Sequence, residues 1–237
     1  MSFLDYDRLD AISPEAFQSA HPYPWVNPAG LLTEEGYRSL YENLPDVRLF
    51  ERRFGQQRKY GQQSHDRFAL EYDEKLDLPK PWKDFVAELR APAYQAWIRR
   101  MLGTNDIYMN FHWHYTPAGC SVSPHCDAKR KLGSHIFYFN TEEDWDPSWG
   151  GETLVLDDEG RFESDSAPAF EDFSASYGAN ALGNHSLLFA RKGNSWPGER
   201  ELTCPEGHLR KVFIVVLNSD SPLGRIKRKL SGARREF

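Results

Sequence analysis

The sequence predicts an α+β fold, mainly β with helices: a sandwich or barrel of short strands buttressed by N-terminal helices. Three observations predict it. Apolar residues recur at helical spacing through the first hundred residues, then give way from Asp106 to short segments rich in β-branched and aromatic residues. Glycine (17) and proline (15) punctuate those segments, so strands should be short and turns frequent. At 237 residues the chain can bury a sizeable core without disulfide staples, and a single domain is expected. Within it we distinguish a helical segment (residues 1–104), a β core (residues 105–220) and a basic tail (residues 221–237).

The elements follow in order. Ser13-Pro14-Glu15 supplies an N-cap, a proline at the first helical position and an acid in the first turn. Thr33 caps a second helix, with Leu32 and Tyr37 placed as a hydrophobic staple. Its stripe is Tyr37, Leu40, Tyr41 and Leu44, and Pro45 stops the run. Trp82, Phe85, Val86 and Leu89 form another stripe, which resumes after Pro92 as Tyr94, Trp97, Ile98 and Met101 and ends at Gly103. Such stripes read as faces packed on a sheet. Strands are expected at Ile107–Tyr115, Ser134–Asn140, Thr153–Leu156, His185–Ala190 and Lys211–Asn218. Residues 157–182 hold seven acids and one arginine, and read either as a solvated loop or as a mobile cover over a site. The charge run Arg225–Lys229, with Arg234 and Arg235, reads as a solvated terminus or a binding arm.

Charge and cysteine content narrow the function. Twenty-nine basic against thirty-five acidic residues leave −6, so no nucleic-acid partner is expected. The longest apolar runs, such as Val212–Leu217, are too short to span a bilayer, so no membrane partner is expected either. The first ten residues carry three aspartates and no apolar stretch, so no secretory signal is read. Cys120, Cys126 and Cys204 are an odd number without a CxxC, which suits a reducing compartment. The expected location is cytoplasmic.

Pro124-His125-Cys126-Asp127 is the most informative stretch. In an extended segment His125 and Asp127 share a face and Cys126 points away. An imidazole and a carboxylate side by side supply one nitrogen and one oxygen to a divalent metal. Iron(II) oxygenases take two histidines and one carboxylate on one face and leave the opposite positions open. The same alternation argues against a Cys126–His125 nucleophile pair. His112 and His114 form a rival pair on one strand face, but if Tyr115 faces the barrel these two face away from it. The chain has no GxxxxGK[ST], HExxH or GxSxG, so P-loop, zincin and α/β-hydrolase chemistry lack their anchors.

Around this pair stand Tyr115-Thr116-Pro117-Ala118-Gly119, Ile136-Phe137-Tyr138-Phe139-Asn140, Gly150-Gly151-Glu152-Thr153, Asn194-Ser195-Trp196 and Gly207-His208-Leu209-Arg210-Lys211. In that order, over residues 105–220, the chain resembles the iron(II)/2-oxoglutarate-dependent dioxygenases, especially the prolyl-4-hydroxylase-like group. The resemblance implies a double-stranded β-helix (jelly roll) with Fe(II) as cofactor and 2-oxoglutarate as cosubstrate. It implies hydroxylation of a small-molecule or peptidyl substrate. His125 and Asp127 would be the metal ligands. Arg210 would bind the distal carboxylate of 2-oxoglutarate, since a guanidinium fork matches a carboxylate bidentately. Tyr138 or Tyr115 would add a hydroxyl donor. One position departs from the pattern: where the family carries its second histidine, this chain has Pro197, which has no lone pair for a metal. Glu199 or His208 would then be the third ligand, with His185 a more distant candidate. Alternatively, catalysis has been lost and the jelly roll serves as a binding module. A metal-independent sugar- or peptide-binding domain is a further alternative.

Overall fold

The computed structural model describes residues 2–193 and 195–220. The basic run at 225–229, with Arg234 and Arg235, lies outside them. Helices α1 (Tyr6–Asp10) and α2 (Pro14–Gln18) lead into strand β1 (Trp25–Val26) and helix α3 (Glu34–Glu42). Strands β2 (Glu51–Arg53) and β3 (Arg67–Glu71) come next, then helices α4 (Lys80–Leu89) and α5 (Pro92–Leu102). The rest is β: β4 (Ile107–Pro117), β5 (Lys131–Tyr138), β6 (Leu154–Asp157), β7 (Ala175–Gly178), β8 (Ser186–Ala190), β9 (Trp196–Gly198) and β10 (Leu209–Ser219). Both predicted caps form: Ser13 Oγ accepts from the Ala16 N–H at 3.1 Å, and Thr33 Oγ1 from the Gly36 N–H at 3.0 Å.

Two antiparallel sheets face each other. The larger has the order β1-β8-β5-β10-β4-β3-β2, the smaller β7-β6-β9. This is the double-stranded β-helix, with helices packed on the outer face of the larger sheet. The stripes read for α4 and α5 are the buried faces, and all eight residues are at most 2% exposed. Trp82 is the hub of that layer, its indole within 6.0 Å of the rings of Phe85, Trp113, Phe139 and Phe213.

Strand alternation assigns the two faces. Phe111, Trp113 and Tyr115 of β4 join Phe137, Phe213, Val215 and Leu217 in the helix-backed core. On the opposite, inner face Ile136, Tyr138, Leu187, Phe189 and Val212 meet Val155 of the smaller sheet. The expectation from sequence, with Tyr115 inside the roll and His112 and His114 outside, is reversed. The aromatic residues of β4 follow the helices, because that layer is the apolar one, and the histidines line the more polar interior of the roll.

Three strands, β1 to β3, interrupt the region read as helical. They run for two to five residues, and Glu51–Arg53 is wholly charged, so no apolar alternation marks them. β1 and β3 are held by β8 and β4, which lie far away in sequence, and β2 is held by β3. Residues 157–182 form neither a free loop nor a cover over the roll's interior. Phe162, Phe170 and Phe173 pack around Leu154, Leu156 and Trp196 on the outer face of the smaller sheet, and β7 pairs with β6. No helix among the described residues is long and apolar enough to cross a membrane.

Candidate functional site

The HxD stretch runs beside β9 as irregular extended chain. The His125 N–H donates to the Pro197 carbonyl at 3.4 Å, and Val122 and Glu199 exchange backbone hydrogen bonds at 2.9 and 2.8 Å. His125 and Asp127 point the same way, with Nε2 3.9 Å from Oδ1. Cys126 points the other way, onto the outer cluster around Trp196. Both members of the pair are tied to the protein. His125 Nδ1 lies 2.9 Å from the Ser123 carbonyl, and Lys131 Nζ donates to Asp127 Oδ1 at 2.7 Å. Burial lowers the His125 pKa to about 4, against the pull of Asp127. For Asp127, burial acts upward, but Lys131 and His125 outweigh it and hold the carboxyl below its usual range. Among residues that the sequence did not single out, His65 stands edge-on to His125 at 4.7 Å between ring centroids, its Nε2 3.1 Å from Ser123 Oγ. It comes from the segment before β3, whose short strand left no signal to find it by.

Arg210 lies on the inner face of β10, 6% exposed. Its Nε donates to the Gly151 carbonyl at 2.5 Å, and its Nη2 to Thr153 Oγ1 at 3.0 Å. Gly151 has φ +102°, which side chains rarely adopt, and a Cβ there would lie 3.4 Å from Arg210 Cδ and from Trp145. The Gly150–Thr153 turn therefore serves as a cradle for the guanidinium. Tyr138 donates its hydroxyl to the same Thr153 Oγ1 at 2.9 Å, with Arg210 over its ring at 5.6 Å. The remaining nitrogen, Nη1, is 2.8 Å from Glu199 Oε2 in an ion pair whose side chains are 7% and 5% exposed. Burial pushes the Glu199 carboxyl up to about 7, with Arg210 opposing.

The other sequence candidates lie elsewhere. Tyr115 stacks on Phe50 at 4.3 Å and donates to the Pro45 carbonyl at 3.1 Å, on the helix side of the sheet. It does not meet Arg210. His208 packs edge-on against Trp149 at 4.8 Å, its Nδ1 3.2 Å from the Asp144 carbonyl, and does not join the His125–Asp127 pair. His185 hydrogen-bonds the Leu182 carbonyl at 2.6 Å and lines an open cleft of about 1010 Å³ together with Arg8, Glu34, Trp145 and Glu152. Glu199 does face the interior, but it spends one oxygen on Arg210.

These residues do not fit an iron(II)/2-oxoglutarate centre. Pro197 pairs with Val155, shares its inward face, and offers a metal no donor atom beside His125. Among the described residues no group of three or more His, Cys, Asp or Glu side chains is arranged to hold a metal ion. Every nitrogen of the Arg210 guanidinium is already engaged by the chain itself.

No family model matches the chain, and no curated protein matches it in sequence. Solved structures do resemble it. A prolyl-4-hydroxylase from Pseudomonas putida superposes with a TM-score of 0.64 at 15% identity, covering 90% of this chain and 100% of that one. A prolyl hydroxylase from Trichoplax adhaerens, in complex with a hypoxia inducible factor oxygen degradation domain peptide fragment, gives 0.59 at 13% identity, covering 95% and 94%. The non-heme alpha ketoglutarate dependent carbocyclase SnoK from nogalamycin biosynthesis gives 0.61 at 11% identity, covering 97% and 95%. The likeness extends over nearly the whole of each chain and shows a shared fold.

Proposed function

We propose that this chain is a non-catalytic double-stranded β-helix that binds its ligand within the roll. The observation that carries this reading is Pro197, which stands beside His125 where a third metal donor would be needed and offers none. The Arg210–Glu199 pair supports it, since an internal carboxylate already sits on the guanidinium that a 2-oxo acid would require. The hydroxylase resemblance then describes the scaffold, and the ligand is a small molecule or a peptide segment held without turnover.

A second reading, a 2-oxoglutarate-dependent oxygenase of unidentified substrate, is favoured by one observation. His125 Nε2 and Asp127 Oδ1 lie close enough, at 3.9 Å, to approach one ion together. In that reading the chain's own contribution is to hold the two donors on one face. The two readings diverge on a single variant. Pro197→His should bind iron(II) about tenfold or more tightly than the natural chain, while the natural chain forms no succinate from 2-oxoglutarate. Succinate formed by the natural chain above a metal-free blank would overturn the non-catalytic reading.

A further inference from the structure

The inner face of the larger sheet carries a row of arginines. Arg53 of β2 is the register partner of Arg67 of β3, and Arg210 of β10 is the partner of Thr116 of β4. Phe68 pairs with Tyr115, so the β3–β4 register sets Arg67 beside Thr116. Arg53, Arg67, Thr116 and Arg210 therefore lie side by side across four strands spaced about 4.8 Å apart. Like charges directly opposite on neighbouring strands are destabilising, so such a row calls for carboxylates.

The row's two ends have them. Arg53 Nη2 pairs with Glu51 at 3.1 Å, and Arg210 with Glu199 at 2.8 Å. The middle does not. Arg67 Nη1 donates to the His65 carbonyl at 2.7 Å, and its Nε is buried with no hydrogen-bond partner among the described residues. Glu199 and Asp66 are the carboxylates that face it, alongside the like charges of Arg53 and Arg58. Neither carboxylate forms an ion pair with it: Glu199 is on Arg210, and Asp66 accepts from the Gly55 N–H at 2.8 Å. Glu199 Oε1, across from it, is likewise buried without a partner among the described residues. A buried donor left unmet costs stability unless something supplied from outside completes it.

We propose that Arg67, flanked by Arg53 and Arg58, anchors an anion subsite on this face, and that the bound ligand presents a carboxylate or phosphate group to it. The inference rests on the binding reading above and gives it a ligand class, a small oxyanion-bearing molecule. Burial and the two neighbouring guanidiniums hold the Arg67 pKa down to about 10, so the group is still charged at neutral pH and gains from an incoming anion.

The test is calorimetric titration of the full chain with inorganic phosphate in one arm and succinate in the other. It compares the natural protein with Arg67→Met, Arg67→Lys and, as a surface control, Arg48→Met. One of the two anions should bind the natural protein and the Arg48 variant alike, and about tenfold or more weakly to Arg67→Met, with Arg67→Lys between. In anion-free buffer Arg67→Met should melt at or above the natural temperature, since an unmet buried cation has been removed. Binding of neither anion, binding indifferent to residue 67, or an anion-free Arg67→Met that melts lower would each overturn the subsite. Succinate production from 2-oxoglutarate would instead overturn the non-catalytic reading and leave the subsite standing.

Discussion

Replacing Arg210 by methionine strands Glu199 inside the roll, and the size of the effect follows from the structure. The two side chains are 7% and 5% exposed and 2.8 Å apart, and the arginine also satisfies the Gly151 carbonyl and Thr153. Breaking one partner of such a buried pair costs about 3–5 kcal/mol, because Glu199 must either keep a desolvated charge or take up a proton, and the Gly151 carbonyl and Thr153 lose their donor. For a chain of this length that is a fall in Tm of about 6–20 °C. Replacing both residues by methionine should recover most of the loss, since no orphaned charge remains. The proton on Glu199 adds a second readout. Its carboxyl has a pKa of about 7 in the fold against 4.5 for an exposed glutamate, so the folded state holds that proton the more tightly. The resulting stability is present in full below 4.5 and is lost as pH rises through 7. Natural protein should therefore lose ground to Glu199→Gln across that window, by at most about 1.4 kcal/mol per pH unit. Urea midpoints of the four proteins between pH 4.5 and 8 make the measurement. An Arg210→Met protein that melts within about 2 °C of natural, or a natural-minus-Gln difference that is flat with pH, would refute the reasoning.

Two further outcomes follow from other regions of the roll. Burial lowers the pKa of His112 and His135 to about 3, and His114 well below its ordinary value, so these imidazoles are neutral in the fold. The stability they represent is complete above 6.5 and is lost as pH falls below it, at about 1.4 kcal/mol per unit for each; a urea midpoint in Glu199→Gln that does not drop between about pH 7 and 5 contradicts this. Gly133 of β5 lies against β8 so closely that a Cβ would stand 2.1 Å from the Phe189 carbonyl oxygen. Gly133→Ala should therefore cost about 1–3 kcal/mol or more by forcing two backbones apart, and an unchanged melting temperature would show that the strands can yield.

The regions of the fold that could be read in advance are those whose periodicity is local. Trp82, Phe85, Val86 and Leu89 announced a helix face because a buried stripe repeats within a few residues, and the strands around Ile107 and Lys211 carried the same kind of signal. Strands β2 and β9 carried none, being three residues long, and β9 is held by β6 from elsewhere in the chain. The orientation of β4 was misread for a related reason. Alternation separates Phe111, Trp113 and Tyr115 from His112 and His114 without saying which set meets the helices. At the site, the family pattern brought Arg210 and Tyr138 into view, but the contact of Glu199 with Arg210 needs β9 folded against β10, and no spacing rule contains it. Arg53 and Arg67 were invisible as a pair for the same reason: fourteen positions separate them, and only the hairpin register makes them neighbours.

The distribution of tryptophan gives the molecule an optical consequence. Trp82, Trp97 and Trp113 lie in the helix-backed layer, and Trp196 lies in the separate cluster closed off by Phe162, Phe170 and Phe173. Indoles shielded from water emit at shorter wavelengths than hydrated ones, so each layer carries its own fluorophore. Swapping Trp196 for phenylalanine silences that cluster, and with Trp25, Trp145 and Trp149 replaced as well the light that remains reports when the helices leave the sheet.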